Sequence, residues 1–373
     1  MGALAVYRDQ LERLAAIDRI RSLRPRAGID FASNDYLALG AAPRLAEAVR
    51  EAIGRGVPVG SGGSRLLRGN DPEHELLEAE AAAFFGAESA LYFSSGFAAN
   101  AALFATLPQR GDLVVHDSLI HASAHDGLRM GRAEVTSAAH NDATAFADAI
   151  ARWRAGGGTG RAWIAVESLY SMDGDRAPLA ELAAVAAAHD AMLVIDEAHA
   201  TGVFGDDGRG LADLLHGADN VVTLHTCGKA LGCEGALLCG PAVLRDFLVN
   251  RARPFIFSTA PSPLMASAVR EALRCLADEP ARREKLWQLV AHAERALAPL
   301  GIAPTGSQIL PLIIGDDGAT MRAAAALQVA GFDVRGIRPP TVPAGTSRLR
   351  ISLTLNATMA DVDALADALG GAL

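Results

Sequence analysis

Between residues 89 and 240 the chain repeats short, nearly unbroken apolar runs: SALYF (89–93), DLVVHD (112–117), AWIAVES (162–168), AMLVID (191–196), NVVTLH (220–225) and GALLCG (235–240). These runs lack the strict polar alternation of a half-wet strand, which suits strands covered on both faces. Between them, ELLEAEAAAFFG (75–86) and APLAELAAVAAAHD (177–190) carry helical spacing. Alternation of this kind predicts an α/β fold, a mostly parallel sheet with helices on both sides. It spans a large domain over residues 45–262, preceded by an N-terminal helix and arm over 1–44. After PFIFSTAPSP (254–263) the pattern changes. The stretch PLMASAVREALRCLADEPARREKLWQLVAHAERALAPLG reads as one long helix, and shorter strands such as QILPLIIG and RLRISLT follow. A smaller α+β domain over 263–373 is the expectation. GGGTG (156–160) is a surface loop, because elements of one layer lie on both sides of it.

Charge narrows the partners. With 34 Lys plus Arg against 43 Asp plus Glu, the net charge of -9 opposes a nucleic-acid partner. Half of the 373 residues are hydrophobic, enough for the core of a compact enzyme. The N-terminal stretch lacks the layout of a signal peptide, and no run of about 18 uncharged apolar residues occurs. A soluble, cytoplasmic protein with no membrane association is expected. The four cysteines, Cys227, Cys233, Cys239 and Cys275, form no C-x-x-C pair. They read as reduced, buried thiols, and no metal site is expected.

The chemistry begins with VIDEAHATGVFG (194–205). Asp196-Glu197-Ala198-His199 spells the DEAH of helicases, but a P-loop needs G-x-x-x-x-G-K-[ST]. The GK pair at Gly228-Lys229 is followed by Ala230, with no glycine five places earlier. A nucleotide-driven motor is excluded. What remains is an aspartate ending a buried strand, a histidine three residues on, and a lysine about thirty residues later near another strand end. That is the equipment of a pyridoxal phosphate enzyme, in which a lysine binds the cofactor and a carboxylate partners its ring nitrogen.

Seven motifs carry a closer likeness: SNDYLALG (33–40), GSGGSRLLRG (60–69), SSGFAAN (94–100), ESLYSMDGD (167–175), DEAHATGVFG (196–205), TCGKALG (226–232) and RPPTVPAGTSRLRISLT (338–354). In this order they resemble the α-oxoamine synthases of the fold-type I pyridoxal phosphate enzymes, in particular the branch serving biotin synthesis. The resemblance implies an aspartate aminotransferase-like fold and assigns roles. Lys229 carries the cofactor and then shuttles the α-proton; Asp196 holds the ring nitrogen protonated. His199 donates a hydrogen bond to the ring hydroxyl, Ser171 is another cofactor contact, and His121 stacks on the ring face and contacts substrate. Gly96, Phe97 and Thr226 bind the phosphate, joined by Ser258 and Thr259 across a homodimer boundary with shared active sites. Arg338, Thr341 and Arg21 bind substrate. A planar guanidinium at Arg338 suits an amino-acid carboxylate.

The implied reaction joins L-alanine to a pimeloyl thioester, on coenzyme A or an acyl carrier protein, releasing carbon dioxide and thiol. Other members of the resembled family use glycine or serine with acetyl, succinyl or palmitoyl thioesters. A reading from another class is a non-catalytic binding protein that keeps the fold; the intact Lys229, Asp196, His199 and His121 oppose it. The His121/His125 pair, four residues apart, lacks the H-E-x-x-H setting of a zinc site.

Overall fold

The computed structural model describes residues 3–372. Its elements are, in chain order, α1 (Ala5–Ala16), β1 (Ile29–Asp30), α2 (Pro43–Gly54), α3 (Pro72–Phe84), β2 (Ser89–Phe93), α4 (Gly96–Thr106), β3 (Leu113–Asp117), α5 (Ala122–Met130), β4 (Glu134–Ala138) and α6 (Ala143–Ala155). They continue with β5 (Ala162–Glu167), α7 (Leu179–Ala188), β6 (Met192–Asp196), β7 (Val221–Thr226), β8 (Ala236–Gly240), α8 (Ala242–Arg251), α9 (Arg253–Ile256), α10 (Pro263–Asp278) and α11 (Pro280–Leu297). The last are β9 (Ile309–Gly315), α12 (Asp317–Val329), β10 (Phe332–Asp333), β11 (Arg335–Ile337), β12 (Ser347–Ser352) and α13 (Met359–Ala372). Two compact units result. The larger comprises Leu37–Ser171 and Arg176–Arg283; the smaller comprises Met1–Tyr36, Met172–Asp175 and Glu284–Leu373.

The larger unit is built on a seven-stranded sheet of order β2-β8-β7-β6-β5-β3-β4. Strands β3 to β7 run parallel, and β8 pairs antiparallel with both neighbours. Alternation along each strand sorts the apolar side chains onto two faces. On one face Val114, Trp163, Ala165, Met192, Val194, Val222 and Leu224 pack with residues of α4, α5, α8 and α9, including Leu103, Phe104, Leu128 and Phe255. On the other, Leu113, Val115, Ile164, Val166, Leu193, Ile195 and Val221 pack with Phe146, Ile150, Leu182 and Ala186 of α6 and α7. Burying each large aliphatic side chain contributes about 1.5–3 kcal/mol, so both sides of the sheet must be covered. Because the strands are parallel, the ends of β5, β6 and β7 emerge at one edge, where α/β sheets place their sites.

Three features differ from the sequence-based expectation. Strand β4 carries an exposed, polar EVTSA pattern and lies at the sheet edge, where one neighbour suffices and no apolar run is needed. The long helix after residue 263 is two helices. Glu279 leaves helical geometry (φ -121°, ψ 56°), as a residue before proline is driven to do, and Pro280 starts α11. Finally, α10 packs against α2 and α3 of the larger unit. The units therefore divide at 283/284, not at the expected 262/263.

In the smaller unit, β11-β12-β9 form an antiparallel sheet and β1 pairs in parallel with β10. β12 is buried along its whole length. It carries Arg348, which pairs with Asp173 of the 172–175 insert, and Arg350, whose Nη1 donates to Ser352 Oγ at 2.6 Å. No helix among the described residues is long and apolar enough to cross a membrane.

Candidate active site

Asp196 closes β6 and is 8% exposed. It stands on the same face as Met192 and Val194, toward α4 and α5. Its two carboxylate oxygens are held separately: Asn100 Nδ2 donates to Oδ2 at 2.8 Å, and the Ala198 amide donates to Oδ1 at 3.0 Å. Donors to the charged form keep such a carboxylate in place and leave each oxygen a further lone pair for a cationic N–H. Asn100 lies one turn into α4 and also donates to Ser123 Oγ at 3.0 Å. Ser123 Oγ meets His121 Nδ1 at 2.7 Å. A continuous polar chain thus links His121 to Asp196.

His121 caps α5. Its Nδ1 accepts from the Ser123 amide at 3.2 Å, so the neutral ring carries its proton on Nε2. Burial by the surrounding protein lowers its pKa; the Asp196 charge opposes this shift and the Lys229 charge adds to it. Lys229 follows β7 in a turn closed by the Gly232 amide on the Lys229 carbonyl at 2.8 Å and the Cys233 amide on the Cys227 carbonyl at 2.8 Å. Gly232 sits at φ 63°, and a Cβ there would lie 2.2 Å from the Gly40 amide nitrogen. The glycine ending TCGKALG is therefore a steric requirement of the lysine turn.

The rest of the DEAH tetrapeptide separates by task. His199 is buried in the turn after β6, where the Ala200 and Thr201 amides both bond the Glu197 carbonyl. Glu197 points away to accept from the Leu211 and Ala212 amides at 2.8 and 2.9 Å, anchoring a distant stretch of backbone. Burial pushes its carboxyl up to about 8, against the pull of Ser168 and these two amides.

At the start of α4, Ser95 caps the helix by accepting from the Ala98 amide at 3.1 Å. The helix begins at Gly96. First-turn amides such as those of Gly96 and Phe97 have no intrahelical acceptor, and the dipole favours an anion there. A Cβ on Gly96 would meet Thr226 Oγ1 at 3.6 Å, an ordinary contact. The protein itself does not demand glycine here; the Cβ would fill space between the helix start and the Thr226 hydroxyl. That cradle fits a phosphate, and the doubly held Asp196 fits a protonated pyridine nitrogen.

The remaining expected residues fall in two places. Ser171 closes a segment of the larger unit, its amide 3.3 Å from Glu167 Oε2. Ser258 and Thr259 are exposed on a segment tied to the glycine-rich stretch: the Ala260 amide bonds the Gly63 carbonyl at 2.9 Å, and Ser61 Oγ bonds the Ala260 carbonyl at 2.8 Å. Arg338, Thr341 and Arg21 belong to the smaller unit. Arg338 Nη1 donates to the Asp18 carbonyl, and burial together with the neighbouring Arg21 charge lowers the Arg338 pKa. Two guanidiniums in one another's field suit an anionic group.

Sequence reasoning did not single out Asn100, Ser123 or Glu167. Asn100 closes SSGFAAN, four residues after the helix start, and that spacing on the sheet-facing side was the available signal. Glu167 opens ESLYSMDGD, but nothing in its neighbours tells that it stands beside Asp196, its register partner across β5 and β6.

A lysine turn beyond one strand end, a doubly held aspartate at the next, and an anion cradle at a helix start define a fold-type I pyridoxal phosphate-dependent transferase; pyridoxal phosphate is its cofactor. The chain belongs to the aminotransferase class I and II family, whose family model matches residues 26–369. It is 44% identical to an 8-amino-7-oxononanoate synthase of Anaeromyxobacter dehalogenans, covering 100% of this chain and 96% of that one. Among solved structures it is similar to serine palmitoyltransferase from S. paucimobilis with bound PLP and myriocin, with TM-score 0.90 and 26% identity over 100% and 98% of the two chains. It is also similar to 8-amino-7-oxononanoate synthase from Francisella tularensis, with TM-score 0.78 and 27% identity over 92% and 97%.

Proposed function

We propose that this enzyme condenses L-alanine with a pimeloyl thioester to give 8-amino-7-oxononanoate, carbon dioxide and free thiol, a step of biotin synthesis. The observation that carries it is the 44% identity along the whole chain to a protein of that name, with Lys229, Asp196, His199 and His121 all in place. Bound pyridoxal phosphate supplies an electron sink that makes an amino acid's α-proton removable and lets a β-keto acid lose carbon dioxide. The protein's residues direct that chemistry. Asp196 keeps a proton on the ring nitrogen through charge, which low-dielectric surroundings strengthen. Lys229 would hold the cofactor, and its free amine would move the α-proton. His121 would cover one ring face, His199 would donate to the ring hydroxyl, and Ser171 would make a further cofactor contact.

Gly96, Phe97 and Thr226 hold the phosphate, aided by Ser258 and Thr259 of the partner subunit in a homodimer with shared sites. Supporting this, Val59, Leu67 and Phe257 are exposed at 74%, 81% and 70% on or next to the two tied segments. Apolar exposure of that kind suits a two-fold interface. Arg338 pairs with the amino-acid carboxylate; Thr341 and Arg21 contact substrate. The acyl group arrives on coenzyme A or on an acyl carrier protein, and the enzyme works in the cytoplasm.

The test is a matrix of purified holoenzyme against alanine, glycine and serine, each with pimeloyl, acetyl, succinyl and palmitoyl thioesters, following thiol and carbon dioxide release. Alanine with pimeloyl thioester should exceed every other pair by at least about tenfold, the value of a few favourable contacts. Preference for another pair would replace this substrate assignment by another α-oxoamine synthase activity. Complete inactivity with intact cofactor binding would favour the non-catalytic reading.

A further inference from the structure

Two carboxyl groups end adjacent strands at this site. Glu167 of β5 is the register partner of Asp196 of β6, and strand alternation puts it on the same face as Trp163 and Ala165, beneath α4 and α5. Neighbouring strands lie about 4.8 Å apart, so the two groups stand side by side. Their hydrogen bonding is unequal. Asp196 has a donor on each oxygen, at 2.8 and 3.0 Å. Glu167, 3% exposed, has the Ser171 amide at 3.3 Å on Oε2, and its buried Oε1 has no hydrogen-bond partner among the described residues.

A buried carboxylate oxygen without a donor is costly, whereas a carboxylic acid there presents an O–H and only weak acceptors. Burial first, and then the Asp196 charge, push the Glu167 carboxyl up to about 8; Lys229 and the Ser171 amide pull it down, and Asp117 raises it further. Of the other titratable groups, His121 is the N-cap of α5, the helix over this face, and His125 lies within it; His199 lies in the turn after β6, and His140 Nδ1 meets Asp117 Oδ1 at 2.8 Å. Of the two neighbouring carboxyls, Asp196 has the donors that keep a charge, and Glu167 does not.

We propose that Glu167 is a positioning residue for the reaction that works through Asp196: Glu167 stands uncharged beside the Asp196 carboxylate, and gain of a charge at Glu167 sets the alkaline limit of the site. With one charge, the pair holds the ring-nitrogen proton through Asp196 alone. A second charge, within reach of Lys229, opposes release of a proton from the lysine amine and repels the amino-acid carboxylate. A charge on Glu167 beside the Asp196 carboxylate is disfavoured by like-charge repulsion as well as by burial. This inference rests on the pyridoxal phosphate reading, not on which amino acid or thioester is used.

The experiment titrates the visible absorption of the resting holoenzyme, without substrates, from pH 6 to 10. It uses the natural chain, Glu167→Gln, Glu167→Met and Glu167→Asp. The natural chain should show a transition near pH 8 that the Gln and Met variants lack, while Asp retains one. In the alanine kcat/KM profile, the natural chain should fall about tenfold one unit above the transition, and Glu167→Gln should stay within about twofold. A third readout needs no turnover. A carboxyl whose folded-state pKa is raised contributes stability that is full below its unfolded value and lost as pH rises through its folded value. The melting temperature of the natural chain should therefore drop between about pH 5 and 8 more than that of Glu167→Gln or Glu167→Met. A spectral transition retained in either neutral variant, or absent from the natural chain, overturns the proposal. Failure of the substrate matrix alone would leave these titrations unchanged and overturn only the substrate assignment.

Discussion

Replacing Asn100 by alanine tests whether Asp196 acts through a position that the surrounding side chains hold. The Asn100 amide is buried at 3% exposure and donates to Asp196 Oδ2 at 2.8 Å and Ser123 Oγ at 3.0 Å. A hydrogen bond to a charged group is worth about 1.5–3 kcal/mol, and each 1.36 kcal/mol is tenfold in rate. Loss of the amide leaves the Ala198 bond on Oδ1, so the carboxylate stays but can turn about that contact. Removal of alanine's α-proton should slow by about ten- to hundredfold, toward the lower figure where water enters the vacated space. The assay is exchange of the alanine α-proton in deuterium oxide, followed by proton NMR at saturating alanine without thioester. Far-ultraviolet circular dichroism and cofactor content should match the natural chain, because the change is one polar side chain facing the site. Exchange within about twofold of the natural rate, in folded protein with cofactor bound, would refute the idea that Asn100 holds Asp196 in its working position.

Three further outcomes follow from the same geometry. Lys229→Ala should leave no cofactor fixed to the chain after borohydride reduction and should lower turnover by at least about a hundredfold; covalent cofactor on intact protein would reassign the lysine. Gly232→Ala must place a Cβ 2.2 Å from the Gly40 amide nitrogen at a φ of 63°, so the lysine turn has to shift. The strain should cost about 1–3 kcal/mol and lower the melting temperature by roughly 1–4 °C, which calorimetry reads directly. Mixing inactive Lys229→Ala chains with chains changed at both Ser258 and Thr259 should restore one working site per mixed dimer, and no recovery on subunit exchange would mean that each site is self-contained.

The larger unit was legible in the chain because its strands are buried on both faces, which forces uninterrupted apolar runs such as AMLVID and NVVTLH. Pyridoxal phosphate was legible for a related reason: Asp196 and Lys229 stand at strand ends, where a short motif fixes both the residue and its place. Strand β4 was not, since an edge strand needs neither two apolar faces nor a distinctive composition. The break at Glu279 was signalled by Pro280, yet continuous amphipathic spacing on both sides masked it; steric exclusion before proline decided the geometry. What sequence could not supply was adjacency across strands. Asn100 meets Asp196 across 96 positions of the chain, and Glu167 stands beside Asp196 because β5 and β6 pair in one register. Glu197 makes the point in reverse: its place in the DEAH tetrapeptide suggests chemistry, but strand alternation turns it away from Asp196, and its carboxyl binds the Leu211 and Ala212 amides instead. Side-chain identity is local information, whereas the field and hydrogen bonds that decide what a carboxyl does are set by neighbours that only the folded sheet brings together.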